Sequence, residues 1–146
     1  MSIRKKGKYY YGETHEDIAE VLQRYSATIY PVAHTANSIC ECGCDTFTVL
    51  LNEDPGVVVR ICLACDSEHG IGDADEYIDE VDEVHEMQCI CGSNAFKITS
   101  AVALYSESED VRWFYVGLLC TKCGCTGCYS DWKNEFVGYK ALLDNV

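Results

Sequence analysis

The chain lacks several features that would each have pointed to a particular kind of protein. No stretch approaches the ~18 consecutive apolar residues of a membrane-spanning helix, so no membrane partner is expected. Met1-Ser2-Ile3-Arg4-Lys5-Lys6-Gly7 is not followed by the apolar core and small-residue cleavage site of a secretory leader, and a cytoplasmic protein is expected. Phosphate loops, nucleophile elbows and HExxH are missing. So is the deaminase pattern of a His/Cys–x–Glu ahead of Pro-Cys-x-x-Cys. A non-catalytic protein is therefore expected.

Positive charge is also scarce. Eleven Lys and Arg stand against 24 Asp and Glu, for a net charge of −13. Four of those bases, Arg4, Lys5, Lys6 and Lys8, fall in residues 1–12, which hold no acid. A nucleic-acid partner needs a basic face, and only this segment offers one. By contrast, residues 66–86 carry ten acids and no Lys or Arg. Such a surface repels phosphate and attracts basic partners.

Cysteine is abundant, with eleven in 146 residues. Two modules of half this length would bury too little apolar surface to fold unaided, and cysteines are the available staples. The odd count and the expected reducing compartment favour metal ligation over disulfides.

Those cysteines lie in an internal repeat. Cys40-Glu41-Cys42-Gly43-Cys44-Asp45-Thr46-Phe47-Thr48-Val49 and Cys89-Ile90-Cys91-Gly92-Ser93-Asn94-Ala95-Phe96-Lys97-Ile98 share the pattern C-x-C-G-x-[DN]-x-F-x-[VI]. Each is followed by two β-like runs around a polar turn and then by C-x-x-C, at Cys62/Cys65 and Cys120/Cys123. The runs 47–51 and 57–61 are apolar and β-branched, and Asn52-Glu53-Asp54-Pro55-Gly56 between them is turn-rich. In the second half the turn falls at Ser106–Asp110. Folding each half as a hairpin brings the C-x-C and C-x-x-C pairs to the same open end. Cys40, Cys42, Cys62 and Cys65 then form one candidate ligand set and Cys89, Cys91, Cys120 and Cys123 a second. Four converging thiolates suit tetrahedral Zn2+, so two Zn2+ are expected, with iron as the alternative. Cys44, Cys125 and Cys128 are left over and are read as buried or spare thiols, with a ligand swap at the second site or a third metal as the alternatives.

This layout resembles the zinc-ribbon (rubredoxin-like) group over residues 40–65 and 89–125, with C-x-C-G in place of the usual C-x-x-C-G. The expected fold is a small metal-stabilised α+β chain of two tandem zinc-ribbon β-hairpin modules, with an N-terminal helix and an acidic linker helix. Residues 1–12 are expected to be a flexible basic tail, and 13–39 a helix and lead-in strand. The first ribbon would span 40–70, the acidic linker 71–86, the second ribbon 87–130 and a C-terminal helix 131–146. Thr14-His15-Glu16-Asp17 reads as a capping box. Ile18, Val21, Leu22 and Tyr25 give a helical stripe over residues 15–25, expected to cover an open sheet face. The linker would be helical over 73–83.

The expected function follows from the charge. A closed four-cysteine site leaves no position for substrate, and a compact acidic protein suits capture of a basic one. The chain is similar in character to uncharacterised bacterial zinc-ribbon proteins and to immunity proteins that neutralise toxins. That resemblance implies an inhibitor of a basic partner such as a nuclease, and the acidic run offers Asp73, Asp75, Glu76, Asp79, Glu80, Asp82 and Glu83 as the surface expected to bind it. An accessory subunit of a transcription or RNA machine, and a metal-storage or redox protein, are the alternatives.

Overall fold

The computed structural model describes residues 3–52, 57–72, 85–134 and 136–146. In chain order the elements are β1 (Arg4–Lys6), β2 (Tyr9–Tyr11), α1 (His15–Ser26), β3 (His34–Asn37), β4 (Phe47–Asn52) and β5 (Val57–Cys62). They continue with β6 (Glu68–Gly70), β7 (His85–Glu86), β8 (Phe96–Leu104), β9 (Val111–Cys120), β10 (Cys125–Lys133) and α2 (Tyr139–Leu143).

The two repeats form the expected hairpins. β4 pairs antiparallel with β5, Phe47 facing Cys62, and β8 pairs with β9, Phe96 facing Cys120. Alternation sets the inward face of β4, where Phe47, Val49 and Leu51 are buried while Thr48 and Leu50 are half-buried. In the second half the meander continues into β10, with a register shift between Cys128 and Ser130.

These hairpins are not two separate small ribbons. Phe47 pairs with Phe96 across the junction, and ten strands join one sheet in the order β1-β2-β10-β9-β8-β4-β5-β6, with β3 on β8 and β7 on β4. Both phenylalanines are fully buried in one apolar cluster with Ile71, Ile98, Phe114, Leu118 and Leu142. Sharing that core removes the size problem that two independent modules would face.

Residues 1–12, expected as a flexible tail, are structured instead from Arg4 onward. β1 and β2 form a hairpin around Gly7, whose φ of +66° favours glycine. β2 then pairs with β10, Tyr11 opposite Cys125 and Tyr10 opposite Thr126, while Tyr9 and Tyr11 pack on the main core. The expected helix over 131–146 is also corrected, because residues 131–133 complete β10 and only Tyr139–Leu143 is helical. The linker-helix segment 73–83 and most of the turn at 52–56 lie outside the described residues.

α1 forms as its sequence indicates. Asp17 N donates to Thr14 Oγ1 (3.4 Å), and Asp17 Oδ2 accepts from Thr14 N (3.0 Å), closing the capping box. Such a cap contributes about 1 kcal/mol. Ile18, Val21 and Leu22 are buried, and α1 packs on β8, β9 and β10. Gly117 permits the close seat, since a Cβ there would lie 2.5 Å from Ile18 Cγ2. No helix among the described residues is long and apolar enough to cross a membrane.

Candidate metal centres

The C-x-C turn is built identically in both halves. Gly43 N donates to Cys40 O and Gly92 N to Cys89 O, each at 2.8 Å. Cys40 N donates to Cys44 O and Cys89 N to Ser93 O, again at 2.8 Å. Gly43 and Gly92 stand at φ +95° and +94°, which makes glycine the natural residue there. The C-x-x-C turns also match, with Asp66 N donating to Cys62 O and Gly124 N to Cys120 O at 2.9 Å.

These turns bring together the eight predicted ligands. Cys40, Cys42, Cys62 and Cys65 have all their sulfurs within 4.8 Å of one another, and so do Cys89, Cys91, Cys120 and Cys123. The closest pairs are Cys40–Cys65 at 3.5 Å and Cys42–Cys62 at 3.6 Å, repeated as Cys89–Cys123 at 3.5 Å and Cys91–Cys120 at 3.6 Å. Disulfide sulfurs would stand ~2.05 Å apart, and all eleven cysteines are free. Four sulfurs bound tetrahedrally at ~2.3 Å to a central ion stand about 3.8 Å apart. The spacing therefore suits a four-coordinate metal in each cluster.

Hydrogen bonding lowers two thiols in the first cluster and one in the second. Burial pushes the Cys62 thiol up, but the N–H groups of Cys65 and Ala64 and the Cys42 and Cys65 side chains more than reverse this, bringing it down to about 6. Burial opposes ionisation of Cys120 as well. The N–H groups of Cys123 and Lys122, with the Cys91 and Cys89 thiols, bring it down to about 7. Both are the first cysteine of C-x-x-C and both are fully buried. A thiolate fixed there is the natural first anchor for a cation. The Ser67 hydroxyl lies 3.2 Å from Cys65 Sγ and is the main cause holding that thiol below its usual value.

The three remaining cysteines stay outside both clusters. Cys44 occupies the repeat position of Ser93, and each caps its own turn: Thr46 N donates to Cys44 Sγ at 3.5 Å, and Ala95 N to Ser93 Oγ at 3.4 Å. Cys125 occupies the position of Ser67, two residues past the last ligand in each half. At both positions the two halves exchange Ser and Cys, which are close in shape. The first exchange is readable from the repeat; extending the alignment two residues past C-x-x-C would have shown the second. Cys128 lies by α1, where burial raises its thiol to about 12.

Of the acids proposed for partner binding, Asp73, Asp75, Glu76, Asp79, Glu80, Asp82 and Glu83 all lie outside the described residues. Of the remaining acids in 66–86, Asp66 sits in the first knuckle at φ +62°, Glu68 begins β6, and Glu86 accepts from Asn94 Nδ2 at 3.2 Å. Sequence reading missed a cavity of about 550 Å3 beside the first cluster, whose lining includes Glu41, Glu68, Asp144 and Arg60. None of the three carboxylates forms an ion pair with a described residue. Arg60, nearly buried, is already engaged: its Nε donates to Val146 O at 2.7 Å and its guanidinium lies 4.7 Å from the Phe47 ring centroid.

Fold and clusters together define a mostly antiparallel sheet protein that offers two four-cysteine sites to metal ions. The chain matches no family model, no curated protein and no solved structure.

Proposed function

We propose that the protein is a non-catalytic, zinc-binding interaction module of tandem zinc-ribbon character that captures and inhibits a basic protein, such as a nuclease toxin, in the manner of an immunity protein. The observation that carries this reading is the cavity beside the first cluster, where Glu41, Glu68 and Asp144 form no ion pair with a described residue while the guanidinium of Arg60 in its lining is engaged by Val146 O and the Phe47 ring. A lysine or arginine side chain of the partner fits that charge and volume. The other nine acids of residues 66–86 would add long-range attraction. Zinc supports the scaffold: four sulfur donors complete a tetrahedral shell and leave no position for a substrate. Metal storage gains no support from Cys44, Cys125 and Cys128, which join neither four-donor group.

The test combines elemental analysis with capture. Purified protein should carry two zinc ions per chain. From nuclease-treated lysate it should retain a basic protein in low salt and release it as salt rises. Glu41→Gln/Glu68→Gln/Asp144→Asn should weaken capture about tenfold, as expected when close charge pairs are lost. Retention of no basic protein, or capture indifferent to those substitutions, would sink the proposal.

A further inference from the structure

Seven of the eleven cations of this acidic chain come from four separate segments, and five of the seven line two cavities. The β1–β2 hairpin supplies Arg4, Lys5, Lys6 and Lys8, α1 supplies Arg24, β8 supplies Lys97, and the β9–β10 turn supplies Lys122. Two cavities lie among them. One, of about 310 Å3, is lined by Arg4, Lys97 and Lys122 beside the second cysteine cluster, with Glu13 as its one carboxylate. The other, of about 270 Å3, is lined by Lys8, Tyr9, Tyr10, Arg24 and Tyr25. Tyr10 has Lys5 and Arg24 at 5.6 and 5.7 Å from its ring centroid, and Lys8 stands 5.3 Å from that of Tyr9.

We propose that the N-terminal hairpin and its two flanking cavities bind single-stranded nucleic acid. Binding of that kind combines a cationic track for the backbone with aromatic rings on which unpaired bases stack, and both are present within one hairpin and its two flanking cavities. Paired bases offer no free face to such rings, which favours single strands over duplex. The surface lies at the opposite end of the strand order from β6, which carries Glu68, and the inference is independent of the captured protein.

Two neutralising effects limit the charge. Arg24 pairs with Glu20 at 3.2 Å and Lys97 lies 3.9 Å from Asp45. Arg4, Lys5, Lys6, Lys8 and Lys122 form no ion pair with a described residue. Lysines on an outermost strand also discourage edge-to-edge aggregation. That role accounts for β1 alone. It does not call for tyrosines beneath the cations, nor for Lys122 and Arg4 converging from opposite ends of the sequence.

The experiment is fluorescence anisotropy on metal-loaded protein with labelled oligo(dT) and oligo(U) of about twenty nucleotides, the matching duplex as a second probe, and poly-glutamate as competitor. Both single strands should bind more tightly than duplex, and binding should weaken as salt rises because counterions are released. Lys5→Gln/Lys6→Gln, confined to exposed side chains, should lower affinity about fivefold and flatten the salt dependence. Tyr10→Ala should lower it by about fivefold or more with the salt dependence unchanged. Lys140→Gln, on α2, should change neither. Metal content and melting temperature confirm that each variant is folded. Absence of salt-sensitive binding by the unaltered protein overturns the proposal, as does indifference to the lysine substitutions. Poly-glutamate competing as well as the oligonucleotides would also overturn it, in favour of an acidic polypeptide.

Discussion

Cys62 ends a six-residue strand flanked by strands of six and three residues, whereas Cys120 ends a ten-residue strand flanked by two of nine. The knuckles themselves are alike to within about 0.1 Å in their sulfur spacings and turn hydrogen bonds. What differs is the amount of sheet behind them. At the first cluster the position after the last ligand is Asp66 at φ +62°; at the second it is Gly124, where a Cβ would meet Gly12 O at 2.7 Å because the N-terminal hairpin closes over it. One cluster therefore sits near the thin end of the sheet and the other in its thick middle. A metal ion should matter to order more at the first site than at the second.

Ligand removal gives the largest expected contrast. Apparent binding free energies for structural four-cysteine zinc sites are of order 10 kcal/mol, so Cys62→Ser and Cys120→Ser should each cost one metal per chain by native mass spectrometry. Cys62→Ser should also abolish amide-exchange protection throughout β4–β6. In Cys120→Ser, protection should persist in β8 and β9 from Ile98 to Val116. Equal loss of protection in both halves would break the comparison.

Truncating the junction comes next. Phe47→Ala and Phe96→Ala should each cost about 3–5 kcal/mol, as buried aromatics do, measured by denaturant unfolding. Their effects should fall short of additive by about 0.5–3 kcal/mol, because each ring packs in the cluster that holds the other. Strict additivity would mean that the halves are energetically separate.

Acid should act on both sites in the same direction. Cys62 and Cys120 are thiols whose folded values lie below the ordinary one, so the anchoring thiolate is present at neutral and higher pH. It is lost as pH falls through about 6 at the first site and about 7 at the second. In cobalt titrations followed by thiolate charge-transfer absorption, apparent affinity should therefore fall at both sites as pH drops, because each bound thiol must give up its proton to the metal. Affinity that does not change with pH would contradict this.

The smallest effects are expected from exchanging the swapped pair. Cys125→Ser places a hydroxyl at a buried position and should cost about 1 kcal/mol. Ser67→Cys, at an exposed position, should change stability by no more than about 0.5 kcal/mol in thermal melts.

Much of the local structure was legible in the sequence because repeat and periodicity encode it directly. Two copies of one pattern indicate which cysteines converge at the open end of each hairpin, where Phe47 faces Cys62 and Phe96 faces Cys120. The Thr14–Asp17 cap and the Ile18/Val21/Leu22 stripe located α1. What escaped was long-range pairing. The single Phe47–Phe96 bridge that merges the halves leaves no mark on either copy. The N-terminal hairpin was masked by its charge, although Gly7 between a basic run and three tyrosines is a serviceable turn signal. β10 is not readable as a strand, because Cys125 and Cys128 look like a further C-x-x-C and Asp131-Trp132-Lys133 lack apolar alternation; the strand forms by pairing along β9.

The distances along the chain also bear on how the molecule is made. The cysteines of each cluster are local, with the closest pairs 25 and 20 residues apart in the first and 34 and 29 in the second. The N-terminal hairpin, by contrast, can find β10 only after residues 125–133 have left the ribosome. Ser38 and Arg60 must wait as well, since both donate to Val146 O. Metal loading at the first knuckles can thus precede completion of the sheet during synthesis, and the nascent chain would depend on its first ion before most of its strands have partners.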